Sequence, residues 1–373
     1  MGLREPPQPA KIRAATMALQ SRCLPEQPRL FKETCADMLF EPSEVHWYGS
    51  FGFSGPSLGA GHGLPAQDGA AALGFFGNMH FFGGGFGGMT PHSSTPAPTL
   101  VGPAGGLQFD LVWDPSVAHA PKGFQQAIVN AALSYTKLFS DDIVIKIRVG
   151  YGEVAGSKLD AGALGESESN YMLVSYATVA GALAGDNYPL TLARNEPTTA
   201  QIYVTNAEAK ALGLMPGDAT GVDGWIGLST SKSISYALGS TGSGKYDAVA
   251  IAEHEISEVM GRVGMEGAIV KGHPTYSVLD LFNFSSPGAL ELSAKGGYFS
   301  IDNGATSLGN FNNAASNGGD IGDWSSNSPP PTHNYDAFDA FTYAGYHGVV
   351  MPRDVIETAV LGYNLTPTGV ASV

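Results

Sequence analysis

Two side chains of types that bind metal ions recur at helical spacing in the second half of the chain. His254 and Glu258 are four residues apart, so on an α-helix they project from one face, one turn above the other. That geometry allows two side chains to bind a single ion. Glu255 lies about 100° further around the helix, where its carboxylate can reach a metal-bound water without being a ligand. The segment therefore predicts a metal site that can activate water.

The same residues also have a simpler interpretation. A histidine and several glutamates on a helix ordinarily form a solvated surface supported by i,i+4 pairs. The surroundings favour the metal site, because Ile251, Ile256 and Val259 would bury the helix and the loops after it are rich in oxygen and nitrogen ligands. Gly261 follows at a position where a helix can stop and the chain can turn sharply.

The elements that must hold this helix follow from hydrophobic periodicity. Residues 107–113 alternate as a half-buried strand, and apolar residues recur at helical spacing from Phe124 to Leu138. Residues 143–149 are predicted to form a β-branched strand. Further strands are predicted at 201–205, 224–230 and 234–238, the metal-site helix at 246–262 and a closing helix at 353–361. This order predicts an α+β fold with a small mixed sheet.

The sequence predicts three parts along the chain. Residues 1–105 are predicted to be an irregular tail or pro-region, rich in Gly, Pro and Phe, whose Gly-Phe run at 75–88 could associate with copies of itself. Residues 106–263 would form an N-terminal subdomain that ends in the metal-site helix, and residues 264–373 a loop-rich C-terminal subdomain. Cys23 and Cys35 both lie in the tail, so the body of the protein needs no disulfide.

Composition limits the partners and indicates a location. The chain has 19 basic and 34 acidic residues, a net charge of −15 and no Lys/Arg-rich patch, which disfavours nucleic acid and anionic membranes as partners. No segment approaches the ~18 apolar residues that span a membrane. The low charge and high glycine content are typical of an exported bacterial protein. We therefore expect an extracellular or cell-surface location, reached by a route without an ordinary signal peptide.

The helix at 253–262 resembles the signature of a little-characterised group of bacterial metalloproteases, in which an H-E-I-x-E-V-x-G helix replaces the usual H-E-x-x-H. The resemblance covers residues 107–365 and continues in the segments 279–282, 298–302, 319–324, 336–338 and 361–363. More distantly, the chain is similar to the metzincin-type zincins, including the leishmanolysin-like members. The resemblance implies a zincin-like fold and a zinc-dependent endopeptidase that acts on protein or peptide substrates.

The metzincin pattern carries over to this chain only in part. The resemblance implies that His254 is the first metal ligand, Glu255 the general base and Gly261 the glycine of the turn. Glu258 stands where the pattern has its second histidine, and a carboxylate oxygen can also bind zinc. Gly264 stands at the third ligand position and cannot bind metal, so the third ligand must come from elsewhere. Leishmanolysin-like members have a long insertion at this point, and this chain has room for one.

Several residues in the second half of the chain could be the third ligand. We favour Asp323, because it precedes Trp324 in a glycine-rich segment and comes before a methionine-containing turn, where Met351 would be the Met-turn residue. Asp280 is the main alternative, although it could instead form turn hydrogen bonds or bind a structural Ca²⁺. The full set of candidates is Asp280, Asp302, Asp320, Asp323, His273, His333 and His347.

The resemblance also implies a mechanism. Zinc would keep one position for water, and Glu255 would take the proton of that water and pass it to the leaving amine. Tyr343, Tyr346 or His347 could stabilise the oxyanion. The strand before the helix is predicted to be the sheet edge to which an extended substrate adds, and its residues are Trp225, Ile226, Gly227 and Leu228.

Two other classes of protein remain open at the level of sequence. The chain could be a catalytically inactive zincin-fold protein with a structural, adhesive or self-assembling role at a surface. It could also be a surface domain stabilised by Ca²⁺ through its Asp-rich loops. Metal content separates the enzyme from the first class. Glu255 separates it from the second, because a purely structural site has no use for an unligated carboxylate beside the metal.

Overall fold

The computed structural model describes residues 95–185, 190, 193–239, 241–293, 295–313, 317, 319–325 and 334–373, together with two short strands at 49–50 and 52–53. The described strands are β1 (Gly49–Ser50), β2 (Gly52–Phe53), β3 (Thr99–Val101), β4 (Gln108–Trp113), β5 (Val144–Tyr151), β6 (Glu153–Val154), β7 (Ser157–Lys158), β8 (Gly165–Ser169), β9 (Tyr171–Ser175), β10 (Gln201–Thr205), β11 (Gly224–Leu228), β12 (Ile234–Ser235), β13 (Tyr246–Asp247), β14 (Ala268–Val270), β15 (His273–Ser277), β16 (Asn283–Ser286), β17 (Ala289–Leu290), β18 (Tyr298–Phe299), β19 (Gly309–Asn310), β20 (Asn334–Asp336), β21 (Phe341–Thr342) and β22 (His347–Val349). The described α-helices are α1 (Phe124–Leu138), α2 (Tyr176–Leu183), α3 (Asn206–Ala211), α4 (Ala248–Val259), α5 (Pro352–Val360) and α6 (Pro367–Ala371), and short 3₁₀ turns lie at Pro115–His119 and Leu279–Phe282.

A six-stranded sheet in the order β1-β8-β11-β5-β4-β3 supports the core. Strands β4, β5 and β11 run parallel, whereas β3 and β8 are antiparallel to their neighbours β4 and β11, and β1 is antiparallel to β8. In β5 the alternate residues Ile145, Ile147 and Val149 are fully buried, as the period of two predicts. The α+β class, with several small sheets and few helices, is thus confirmed.

Helices α1 and α4 pack against each other and against this sheet. Helix α4 lies on β8 and β11, and α1 lies on β3 and β4. The hydroxyl of Tyr135 in α1 donates a 2.6 Å hydrogen bond to the carbonyl of Glu253 in α4. Because Tyr135 is fully buried, this bond fixes the position of α4 relative to α1.

Strand β8 covers the main-chain edge of β11 that the sequence predicted to be free. It pairs with β11 on one side, and β5 pairs with β11 on the other, so both main-chain edges of β11 are used. The prediction that Trp225, Ile226, Gly227 and Leu228 form a free edge is therefore wrong. The sequence Gly-Glu-Ser-Glu-Ser of β8 has no apolar alternation, so periodicity could not predict this strand.

The parts of the chain predicted as separate units share sheets. Strand β3 belongs to the predicted tail and pairs with β4, and β15 belongs to the predicted C-terminal subdomain and pairs with β10. The division at residues 105 and 263 stays a prediction. The Gly-Phe run at 75–88, Cys23 and Cys35 lie outside the described residues. Among the helices that the structure describes, none is long and apolar enough to cross a membrane.

A buried acidic pair outside the metal-site helix predicts a pH effect on stability. Glu266 accepts a 2.7 Å hydrogen bond from Asn283, and burial, with the charge of Asp280 as the next cause, raises the pKa of Glu266 from 4.5 to about 9. A carboxyl whose pKa is raised in the folded state stabilises the fold at low pH, and this contribution is lost as the pH rises towards the folded pKa.

Replacing this carboxyl by an amide should remove the pH effect. We expect Glu266→Gln to have the same Tm as the parent protein at pH 4.5 and a higher Tm at pH 8, because the amide cannot ionise. Thermal melts of the full chain at a series of pH values measure the difference. If the difference in Tm between the two proteins does not grow with pH, Glu266 does not hold a proton in the folded state.

Candidate metal centre

The helix that carries the predicted motif is buried on all sides. Helix α4 begins after Asp247, whose side chain accepts a 3.0 Å hydrogen bond from the backbone of Val249. It ends at Met260, and Gly261 follows with φ +115°, a conformation that glycine adopts without strain. The simpler interpretation of a solvated helix face does not hold, because all of its acidic residues and His254 are at most 7% exposed.

The structure brings three side chains of ligand type together. His254 Nε2 lies 3.4 Å from Glu258 Oε1 and 3.4 Å from Asp323 Oδ1. The ligand atoms of the three residues all lie within 4.8 Å of one another. Among the residues that the structure describes, no other group of three or more His, Cys, Asp or Glu residues meets this criterion. The group, here called the metal group, could hold a metal ion.

The backbone of the segment 336–338 orients His254. His254 Nδ1 lies 2.9 Å from the carbonyl oxygen of Ala337. A carbonyl can only accept, so Nδ1 donates to it, and Nε2 is the ring atom that faces the two carboxylates. Ala337 is itself held, because its N–H donates a 2.9 Å hydrogen bond to the carbonyl of Val349. The motif residues at 336–338 thus fix the tautomer that a metal ligand needs.

Two glycines allow the segment of Asp323 to approach the end of α4. A Cβ atom on Gly264 would lie 2.6 Å from a side-chain carbon of Ile321 and 3.1 Å from the backbone nitrogen of Gly322. A Cβ atom on Gly322 would lie 3.1 Å from the backbone nitrogen of Gly264. Gly264 cannot bind metal, but because it has no Cβ atom, the segment that carries Asp323 can come close to the end of α4. This arrangement links residues that are about 60 positions apart in the sequence.

Trp324 anchors the segment from the other side. Its ring stacks on Phe311 with centroids 5.1 Å apart, and its indole N–H donates a 2.7 Å hydrogen bond to Asp354 in α5. The backbone of Trp324 also donates to the carbonyl of Phe338 at 2.9 Å. A side chain that is packed and bonded in this way holds its neighbour Asp323 in one position.

Glu255 lies beside the metal group, next to His254 on α4. It is 0% exposed, and neither of its carboxylate oxygens is bonded by any residue that the structure describes. Burial, followed by the charge of Glu258 and then of Asp320, raises the pKa of Glu255 well above its ordinary value. A buried carboxylate without partners has a strong need for a cation or a water molecule.

The carboxylate of Glu258, unlike that of Glu255, has a hydrogen-bond donor and positive charge close to it. Burial raises its pKa, but the hydrogen bond and charge of His254 and the charge of Arg262 bring the pKa below its ordinary value. The hydroxyl of Ser167 in β8 donates a 2.7 Å hydrogen bond to Glu258 Oε2. Oε2 is thus bonded to Ser167, and Oε1 is the oxygen that faces His254.

The other candidates for a third ligand have different surroundings. Asp280 is buried and accepts hydrogen bonds from the backbone of Met265, Glu266 and Ser277, so turn hydrogen bonds account for its position. The remaining candidates lie outside the metal group or outside the described residues: Asp302 bonds to Ser300 and Thr306 on the surface, Asp320 is half-buried, His273 is exposed on β15, His347 pairs with Asp247, and His333 lies outside the described residues.

The residues predicted to stabilise an oxyanion lie towards the start of α4. His347 pairs with Asp247, the N-cap residue, which is about 10 Å along the helix axis from His254. The half-buried rings of Tyr343 and Tyr346 have centroids 5.9 Å apart, and their predicted role stays a prediction. Met351 immediately precedes α5, where its N–H donates to Asp354 at 2.7 Å.

Two residues that touch the metal group were missed by sequence reasoning. Ser167 lies in a polar strand without periodicity, so nothing in the sequence marks it. Arg262 stands within the recognised motif but received no role. It contacts Glu258 and Asp323. Its position four residues after the predicted ligand Glu258 was the feature of the sequence that could have indicated this contact.

Comparison of the chain with protein-family models, with curated proteins and with solved structures gives no match. The function therefore has to be inferred from the residues of the site and their geometry.

A substitution at Gly264, where two backbone segments of the chain come close together, tests the metal group. Gly264→Ala should push the 321–323 segment away from α4, because the new Cβ would overlap Ile321 and press on the backbone of Gly322. We expect metal affinity to fall about 10–100-fold, as when a supporting residue of a metal site is lost. Competition with a chromogenic chelator measures the Kd for Zn²⁺.

Gly221→Ala is the matched control, because nothing lies within 4 Å of a Cβ atom at that position. It should bind metal as the parent protein does. Parent-like affinity in Gly264→Ala would mean that Asp323 does not take part in binding.

Proposed function

We propose that the protein is a zinc-dependent endopeptidase of the zincin class, in which His254, Glu258 and Asp323 hold the metal and Glu255 is the general base. One observation carries the proposal: a buried group of three ligand-type side chains lies beside a buried carboxylate that has no partner among the described residues. A structural metal site needs the first feature but not the second. A hydrolytic site needs both.

The ligand set and its spacing favour zinc. In a tetrahedral site with bonds of about 2.0–2.1 Å, neighbouring ligand atoms lie about 3.3 Å apart. The two distances from His254 Nε2 to the carboxylate oxygens are both 3.4 Å. Calcium instead takes six to eight oxygen ligands, and an imidazole nitrogen is a ligand typical of zinc and other transition metals. Three protein ligands also leave a fourth position open.

Glu255 can move the proton that peptide hydrolysis requires. Zinc, when bound, lowers the pKa of a coordinated water and polarises the carbonyl of the substrate. The pKa of Glu255 is raised by burial and by the neighbouring carboxylates, and a nearby divalent cation would oppose this effect. Glu255 would then accept a proton from the attacking water and donate it to the leaving amine. Glu255 has no hydrogen-bond partner among the described residues, so it is available for both steps.

The edge of β8 is the surface where an extended substrate would bind. Ser167 of β8 bonds to Glu258, and Gly165 lies against Glu255, since a Cβ atom there would be 2.5 Å from Glu255 Oε1. The outer edge of β8 is paired antiparallel with β1 at Glu166 and Ser167, so a peptide substrate would bind there by taking the place of β1. Main-chain pairing of this kind suits a peptide substrate, and β8 replaces β11 in the proposal.

Replacing the proposed base tests catalysis separately from metal binding. Glu255→Gln should keep its zinc and lose about 10²–10⁴-fold in proteolytic turnover, because the amide cannot accept a proton. Zinc content and cleavage of an unfolded protein such as casein are measured on the same sample.

Glu253→Gln is the matched control, since Glu253 is buried in the same helix but is not part of the proposed site. It should keep its activity. Undiminished cleavage by Glu255→Gln would remove the basis of the proposed mechanism. Zinc binding without cleavage in the parent protein would instead favour an inactive structural protein on the same fold.

Replacing the proposed ligands tests the metal group directly. Asp323→Asn and His254→Ala should each lose more zinc affinity than the 10–100-fold expected on loss of a supporting residue, because each removes a bond to the metal. Asp280→Asn, the control for a buried aspartate outside the group, should retain zinc. Metal analysis after dialysis gives the occupancy, and full occupancy in Asp323→Asn would show that the third ligand lies elsewhere.

A further inference from the structure

Arg262 is a fully buried cation at the metal group, and its side chain runs back along α4 from the turn that follows the helix. It is 1% exposed. Its Nε donates a 2.7 Å hydrogen bond to the hydroxyl of Ser257. Nη1 donates to the carbonyl of Gly322 at 3.2 Å and also to the carboxylate of Asp323. Nη2 lies 3.6 Å from Glu258 Oε1. One guanidinium thus contacts both acidic members of the metal group.

Arg262 is also connected to the third member, His254. Nη2 donates to the backbone carbonyl of His254 at 3.4 Å. The same carbonyl accepts a 2.6 Å hydrogen bond from Ser257, which in turn accepts from Arg262. The guanidinium carbon lies 4.6 Å from the centroid of the Phe338 ring, next to Ala337, whose carbonyl orients the imidazole. The flat face of the Arg262 guanidinium is therefore held in place, as well as its N–H edges.

The chemistry of arginine suits this position. A guanidinium remains charged when buried and presents several N–H donors in a rigid plane, whereas the ammonium of lysine is a single point charge on a flexible stem. Two carboxylates within reach of one another repel, and a buried carboxylate without a partner is costly. A planar donor placed between them can therefore hold both in fixed orientations before any metal binds.

We propose that Arg262 is a positioning residue of the metal centre, whose guanidinium holds the carboxylates of Glu258 and Asp323 in the orientation in which they bind the metal. The inference rests on the proposed metal site. It assigns a role to the last residue of the recognised helix motif, and it explains why a cation lies beside a site for cations.

The sign of the effect of Arg262 on metal affinity distinguishes positioning from simple charge. A positive charge near the site repels a metal ion, so if charge alone mattered, removing it would strengthen metal binding. If the guanidinium positions the ligands, its removal weakens binding despite the relief of repulsion. Arg262→Lys keeps the charge and loses the planar donors, and Arg262→Gln loses both.

The experiment measures metal affinity and ligand geometry on the purified full chain. Kd values for Zn²⁺ and Co²⁺ are obtained by competition with a chromogenic chelator, and the visible absorption of bound Co²⁺ reports whether the coordination is tetrahedral. Arg148→Lys is the matched control, because Arg148 also pairs with a buried aspartate, Asp114, and both residues lie outside the metal group and outside the segments that hold it in place.

We expect Arg262→Lys and Arg262→Gln to bind both ions about 10–100-fold more weakly than the parent, with an altered Co²⁺ spectrum, while Arg148→Lys remains like the parent. Parent-like affinity in Arg262→Lys, or tighter binding in Arg262→Gln, would overturn the positioning role and leave the proposed function standing. A parent protein that binds neither ion would overturn both.

Ser257→Ala decides the question if the Arg262 variants do not fold. It removes the acceptor of the Nε hydrogen bond but keeps the guanidinium charge and all proposed ligands. Metal affinity several-fold below that of the parent, with an altered Co²⁺ spectrum, supports the positioning role. Affinity and spectrum equal to those of the parent overturn it.

Discussion

The burial of ionisable groups on α4 is the constraint on which the rest of the site depends. His254, Glu255 and Glu258 are at most 2% exposed, and a buried charge is tolerated only when it is paired, hydrogen-bonded or bound to a metal. The helix cannot turn this face to water, because its other faces pack on α1 and on the sheet. Partners for these groups must therefore come from the elements that pack against this face or follow the helix.

Each of those partners comes from a different element. Strand β8 supplies the hydroxyl of Ser167, the segment at 336–338 supplies the carbonyl of Ala337, and the turn after α4 supplies Arg262. The loop that carries Asp323 reaches the site only because Gly264 and Gly322 leave room for two backbones to meet. Of His254, Glu255 and Glu258, only Glu255 has no hydrogen-bond partner among the described residues. It is the residue that a hydrolytic mechanism would use.

Strand β8 connects the metal group with the outer part of the six-stranded sheet. Because β8 lies between β11 and β1 and contacts α4 through Ser167 and Gly165, an extended chain that pairs with its outer edge runs next to the metal group. Two carboxylates in the ligand set would reduce the positive charge of a bound zinc, and the buried guanidinium of Arg262 offsets part of that reduction. If the proposed function is correct, substrate binding and the charge of the metal site would both depend on elements that flank the helix.

The sequence by itself determined the local features of the site. Helical spacing put His254 and Glu258 on one face, glycine chemistry placed the turn at Gly261, and alternation or β-branching identified strands β4 and β5. The choice of Asp323 needed the context of Trp324 and a family resemblance. Only the tertiary structure decided the remainder. Strand β8 is polar and is held by main-chain pairing with its neighbours, which leaves no periodic pattern, and the partners of Arg262 are joined by close packing between segments about 60 residues apart.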